Sequence, residues 1–299
     1  MSAPPRLEPM ALKHRRVQRS ALRQLLRNLP LLPLAVMVAF ILAAVLAPWI
    51  APQPPTLVNL SASLTPPAWQ RGGTPTYLLG TDKLGRDILS RIIWGARVTL
   101  IVMVTTIAGA GAFGVSLGLL AGFRRGWVEA LLMRLVEIQL SLPTILVALL
   151  FGVIFRPGLG PLLIVIMLNL WAIYARVTHA ESLALSHREF ITAARMIGAS
   201  QWHILLRHIL PNLINNVVVV ATSQMAGVGL MGASLSYLGV GMPPPTPEWG
   251  LMVAEGQQVL TKAWWVATMP GVALALVVLS AYWMGDWLRD YLDPTLRRK

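Results

Sequence analysis

Few side chains in this sequence are spaced for covalent chemistry. His179, His187, His203 and His208 lie close in sequence, but none stands with an acidic residue at zinc-ligand spacing, so they read as ordinary loop histidines. The segment Gly232–Ser236, GASLS, has the serine of a nucleophile turn but not its closing glycine, and no histidine or acid lies near it. The phosphate-cradling pattern G-x-x-x-x-G-K-[ST] is absent, and no Gly-Lys pair occurs, so the chain is expected to bind no ATP. With no cysteine there is neither a disulfide framework nor a thiolate metal site. The expectation is a non-catalytic chain with no cofactor and no metal.

The residues that do carry a pattern are those of 189–211, EFITAARMIGASQWHILLRHILP. Phe190, Ala193, Ala194 and Ile197 fall at i, i+3, i+4 and i+7, one apolar helix stripe kept thin by its two alanines. Gly198 can take positive φ and end the helix. Ser200 can then cap a second short helix carrying Trp202, Leu205 and Leu206, and Pro211 marks the boundary of the next segment. The product is a helix–break–helix elbow ringed by Arg188, Arg195 and Arg207. Periodicity alone equally allows an amphipathic hairpin lying flat on a membrane.

What positions this elbow follows from composition. The 299 residues are 56% hydrophobic and 12% charged, where a soluble domain of this length carries about 25% charge. The net charge of +13 does not indicate a nucleic-acid partner, because seven of the 25 Lys/Arg precede Asn28 and four follow Trp287. Charge-free stretches at Leu31–Ile50, Val98–Phe123, Ile138–Phe155 (starting near Leu131), Pro157–Ala175, Leu213–Leu238 and Ala263–Gly285 each suit a hydrocarbon core of roughly 30 Å. One central Arg or Lys costs roughly 2.5–3.5 kcal/mol on the insertion scale, so its absence from all these windows counts. The expected fold is an all-α integral membrane protein of six transmembrane helices. With the N-terminus inside, 18 of the 25 Lys/Arg fall on cytoplasmic segments, which favours both termini cytoplasmic. The first span reads as an uncleaved anchor rather than a signal peptide, its apolar run being longer than roughly 7–15 residues. The basic stretch Lys13–Arg27 suits either the anionic inner leaflet or a simple topological tail.

The expected organisation is a basic segment 1–28, a first span 29–51, and an extracytoplasmic loop 52–96. Its stretch Asp87–Arg97 reads as a helix lying at the outer interface. A five-helix core at 97–292 contains the cytoplasmic loop 176–212, and 293–299 forms a tail. Gly241–Gly250, GMPPPTPEWG, reads as a stiff outer turn before a short helix at Leu251–Leu260. Trp249, Trp264 and Trp265 are expected as interfacial anchors. Gly114, Gly118 and Gly122 recur every four residues and predict a face where another helix approaches closely. Gln139, Asn169, Asn215, Asn216 and Gln224 are candidates to line a pathway. No acid lies mid-span, which weighs against an ion-coupled secondary transporter.

AARMIG followed by nine residues and HILP is similar to the cytoplasmic loop of binding-protein-dependent ABC importer permeases, whose pattern is EAA-x3-G-x9-I-x-LP. Ala193, Ala194, Gly198, Leu210 and Pro211 fall on its positions. Thr192 stands where the glutamate is usual, with Glu189 as a possible substitute, and His208 stands where isoleucine is usual. LLGTDKLGRDILSRIIWGAR at Leu78–Arg97, SYLGVGMPPPTPEWGLMVAEG at Ser236–Gly256 and MGDWLRDYLDP at Met284–Pro294 resemble the C-type subunit of dipeptide and oligopeptide importers. Tyr282 replaces an asparagine common before that last block. The resemblance implies the type I importer permease fold in a bacterial or archaeal inner membrane. It also implies a second homologous permease, two ABC ATPases that hydrolyse ATP, and an extracytoplasmic solute-binding protein as partners, with lipid around the chain. Cargo in this family includes dipeptides, longer peptides, glutathione and nickel complexes.

Overall fold

The computed structural model describes residues 29–292. The segments 1–28 and 293–299, and with them the Lys13–Arg27 stretch, lie outside the described residues. Among the described residues there is no strand, only an isolated antiparallel bridge between Thr81 and Asp87. Five helices are long and apolar enough to cross a membrane: α1 (Leu31–Ile50), α2 (Ile88–Arg124), α5 (Leu159–Ser186), α8 (Leu210–Tyr237, extended backwards to Gln201) and α10 (Trp265–Leu292). A sixth crossing exists if α3 (Trp127–Ser141) and α4 (Thr144–Ile154) together make one span, but they meet at 86°. The straight third span expected from Ile138–Phe155 is therefore replaced by a broken one. The cause is Pro143, which holds Leu142 extended (ψ 127) and removes a helix donor at the bend.

The interfacial helix expected at Asp87–Arg97 is also corrected. Asp87 caps α2, accepting from the Ser90 amide, and the helix then runs 37 residues without a break into the second span. At 1.5 Å per residue α2 is about 55 Å long, far more than a hydrocarbon core requires. Its outer turns carry Arg91, which is buried against protein rather than laid on lipid.

α2 is also the helix on which the others assemble. Gly114 and Gly118 sit against the Trp171 and Ala175 carbonyls of α5, so that an added Cβ would lie 2.3 and 2.5 Å from those oxygens, and Gly122 sits against Ser182. No such approach is possible with any side chain larger than hydrogen. α1 presents Pro33, Met37, Phe40, Ala44 and Ala47 to the bundle and exposes its other face, as expected of a peripheral span. α10 packs on α8, and the short helix α9 (Trp249–Gln257) bridges them at the end away from the elbow.

Gly118→Ala places a methyl against the Ala175 carbonyl, whereas at Gly227 nothing lies within 4 Å of an added Cβ. Overpacking of this kind costs about 1–3 kcal/mol. Gly118→Ala is expected to lower the thermal midpoint of the solubilised protein, and Gly227→Ala to leave it unchanged.

Candidate functional site

The elbow is built as two short helices on a small core of its own. α6 (Glu189–Met196) ends at Gly198, whose φ of +79° turns the chain; Ser200 then accepts from the His203 amide at 3.2 Å and caps α7 (Gln201–Ile204). Ile191, Ala194, Ile204, Leu205, Ile209 and Leu213 close over Leu119 at the end of α2. Ala194 is thus only 7% exposed and seats the elbow on the bundle. Of the stripe expected through Phe190, Ala193, Ala194 and Ile197, Ala194 alone faces inwards and the other three stand exposed. Met196 (82% exposed) and Ile197 (85%) stand outside, with Phe190, Ala193, Trp202 and Leu206. Glu189 and Pro211 are exposed, while Leu210 packs against the elbow core.

Pro211 marks the start of α8 as expected, but without interrupting the helical backbone before it. It lies in the first turn of α8, and the helix accommodates it by widening into a π turn over Leu205–Ile209. A proline there has no amide for the Arg207 carbonyl and its ring crowds that oxygen, and one wider turn relieves both. The consequence is mechanical. From Gln201 to Tyr237 the backbone is one continuous helix, so the elbow is the end of a membrane span.

The histidines are also placed differently from loop residues. His179 lies in α5 and its Nε2 is 2.7 Å from Glu129 of α3, joining the two helices. His203 and Phe190 each meet the ring of His208 at a tilt on the elbow. Among the described residues no three His, Asp or Glu side chains are grouped to hold a metal.

Of the polar residues proposed for a pathway, the structure brings Asn216 and Gln224 together. They line a depression between α5, α8 and α10, with Ser223, Glu181 and Arg289. Asn169 instead donates to Thr144 and ties α5 to α4. Gln139 and Asn215 lie away from the depression, on α3 and on the exposed side of α8. Asn216 is exposed and has no hydrogen-bond partner among the described residues. An unpaired amide in hydrocarbon costs roughly 4–8 kcal/mol, so this face of α8 needs water, solute or another protein against it.

The end of the molecule away from the elbow holds a cluster that the charge count treated as interfacial basicity. Asp82 accepts from the amides of Leu84 and Arg86, and its other oxygen lies 2.6 Å from Arg86 Nε and 3.5 Å from Arg91 Nη1. Both arginines reach Glu255 of α9, at 2.9 and 3.2 Å. Arg86 is 3% and Arg91 1% exposed. Trp249 is buried and donates from its indole to the Ile92 carbonyl, and Trp265 likewise donates to Thr81. Two of the three tryptophans expected at the lipid interface are therefore internal donors, and only Trp264 is exposed. Glu248 caps α9 through the Gly250 and Leu251 amides. Burial pushes its carboxyl up from the ordinary value, and the two amide donors pull the other way. The two sequence blocks Leu78–Arg97 and Ser236–Gly256 thus form a single polar clamp.

Residues 114–298 match the family model described as "Binding-protein-dependent transport system inner membrane component". The chain belongs to this family. The permease is 40% identical over 264 residues to the Di/tripeptide transport system permease protein DppC of Pseudomonas aeruginosa, covering 88% of this chain and 87% of that one. It is 41% identical over 263 residues to the Dipeptide transport system permease protein DppC of Escherichia coli, with the same coverage of each chain. A chain of the MetNI methionine ABC transporter in an inward-facing conformation superposes with a TM-score of 0.55 at 20% identity, covering 67% of this permease and 96% of that chain. At that identity the likeness speaks to the fold: the protein is an inner-membrane permease with the helical architecture of an ABC transporter.

Removing one partner from a buried ion pair costs about 3–5 kcal/mol. Arg86→Met is therefore expected to cut the yield of folded permease sharply. Arg86→Met combined with Asp82→Asn is expected to recover part of it, read by fluorescence-detected size exclusion in detergent.

Proposed function

We propose that this permease forms half of the translocation pathway of a peptide importer, coupled to ATP hydrolysis through the elbow. One observation carries the coupling. An exposed apolar tip, Met196 and Ile197 with Trp202 and Leu206, sits on a continuous helix that enters the membrane. Such a tip on the water side needs a partner, and a partner that grips it gains a rigid handle on α8. The partner is a separate ATPase chain, since this sequence has no phosphate loop of its own. Two ATPase subunits, one for each of two homologous permeases, close on ATP and turn the helices towards the extracytoplasmic side, where a binding protein delivers solute. ATP works here through the different affinity of a partner for two permease states. Both termini and the elbow lie in the cytoplasm in this reading, in keeping with the bias of Lys and Arg.

Contact with the ATPase rests on Ala193, Met196 and Ile197, with Glu189 beside them where the family's glutamate is usual. Ala194, Leu210 and Gly198 shape and seat the elbow. Peptides are the cargo, because relatives about 40% identical to this permease are named for dipeptides and tripeptides. Mass spectrometry of the ligand carried by the cognate binding protein is expected to return short peptides; a nickel complex or glutathione would overturn the cargo.

Ile197→Asp puts a charge on the exposed tip without entering the elbow core. It is expected to leave the amount of permease in the membrane unchanged and to lower ATP-dependent peptide uptake at least about tenfold, the equivalent of roughly 1.4 kcal/mol of lost docking. Uptake at the unsubstituted rate would sink the coupling role of this face. Gly198→Trp, whose side chain meets open space on this chain but adds strain at positive φ, is expected to fold and to uncouple hydrolysis from uptake.

A further inference from the structure

Along α8, Asn212, Asn216, Ser223, Gly227, Ser234 and Tyr237 fall on one stripe less than a quarter-turn wide, and every one of them is exposed. Two recesses open on this stripe. The outer one, about 380 Å³, is lined by Leu230, Ser234, Tyr237 and Leu238 of α8 with Val253 and Leu274, and is almost wholly apolar. The other lies at the elbow end, about 420 Å³, and is lined by Asn216, Ser223, Gln224, Glu181 and Arg289 together with four apolar side chains of α5 and α8. About ten to fifteen residues of helix separate them, on the order of 20 Å. The elbow-end recess is of the size of small-molecule sites, roughly 300–1,000 Å³. It presents one carboxylate, one guanidinium, two amides and a hydroxyl, and neither Glu181 nor Arg289 is held in an ion pair among the described residues.

We propose that the elbow-end recess is a transit site for zwitterionic peptides, with Glu181 receiving the α-amino group and Arg289 the carboxylate. Asn216 and Gln224 supply amides to the peptide bond between them. The chemistry is that of a short solute with opposite charges at its ends: Glu181 is an acceptor for an ammonium, and Arg289 is a forked donor to a carboxylate. Glu181 and Arg289 lie near the elbow ends of α5 and α10, where opposite charges beside unpaired amides suit a solute with charged ends. The site rests on the reading of this chain as half of a peptide importer. It adds to that reading a place where the permease itself recognises the cargo's ends.

The chain contains no cysteine, so Ser223→Cys introduces a single thiol into it. The variant is assembled with its partner permease and ATPases in lipid nanodiscs and treated with a charged, water-soluble methanethiosulfonate, with modification of this chain followed by mass. The thiol is expected to react, whereas Leu279→Cys on the exposed apolar face of α10 is not. L-Alanyl-L-alanine is expected to slow the reaction, and the N-acetylated amide of the same dipeptide to leave it unchanged. Adding Glu181→Gln, or separately Arg289→Gln at the exposed rim, is expected to raise the protecting dipeptide concentration about tenfold, the factor for loss of one contact of roughly 1.4 kcal/mol. An unreactive thiol would show the stripe covered by lipid or by the partner permease, and overturns the site. Equal protection by the blocked dipeptide overturns the recognition of charged ends. Uptake by the unsubstituted system is measured alongside. No peptide uptake there would defeat the importer reading itself, while normal uptake without protection defeats only the recess.

Discussion

Everything in this fold depends on how closely α2 and α5 can approach. In lipid, apolar side chains gain little by exchanging hydrocarbon neighbours for one another, so helices hold together through close packing and buried polar contacts. Gly114, Gly118 and Gly122 bring the backbone of α2 onto the carbonyls of α5, and the long shared seam then offers two ends on which to build. At one end Leu119 and Leu185 receive the elbow core. At the other, Asp87 caps α2 and the Asp82–Arg86–Arg91–Glu255 cluster fixes its first turns to α9. The helix is longer than the membrane because it must reach both.

Much of this was legible beforehand, and the reasons for success and failure are physical. α1 matches its charge-free run residue for residue, because an isolated peripheral span is bounded only by where hydrocarbon ends. α2 does not, because Arg91 and Arg97 read as a membrane boundary in sequence, and the carboxylate partner of Arg91, Glu255, lies 164 positions away. Sequence hydropathy cannot see a neutralised charge. The break at Pro143 was available from the rule for residues preceding proline, but the surrounding apolar run masked it. At Pro211 the same residue type had the opposite outcome, since a first-turn proline can be absorbed by a π turn. Periodicity placed the elbow's helices and its glycine hinge correctly, but it could not say which apolar face turns inwards. That depended on Ile191, which lies off the expected stripe and is fully buried.

The tryptophans teach the same lesson about environment. Trp249, Trp264 and Trp265 all sit near a membrane boundary in sequence, and an amphipathic ring suits that place. Two of them instead bury the ring and spend the indole N–H on a backbone carbonyl, at Ile92 and Thr81. Gly95, pressed against Trp249, leaves room for one of these rings and nothing else. Trp249 thereby ties α9 to α2, and Trp265 ties the turn at Thr81 to α10.

The contrast between the two ends bears on how such a protein can move. The clamp away from the elbow joins α2 to α9 through buried charges that cannot be separated without exposing each other's partners to a poor solvent. The elbow core is a handful of apolar side chains at a water-facing surface, which can tilt or repack with far smaller electrostatic cost. Between them α8 is the least buried of the described spans other than the peripheral α1, and it carries the polar face. In the proposed coupling, a force applied at Ile197 would therefore act through a continuous helix on a soft apolar seat, with the charged cluster at the opposite end holding α2 to α9.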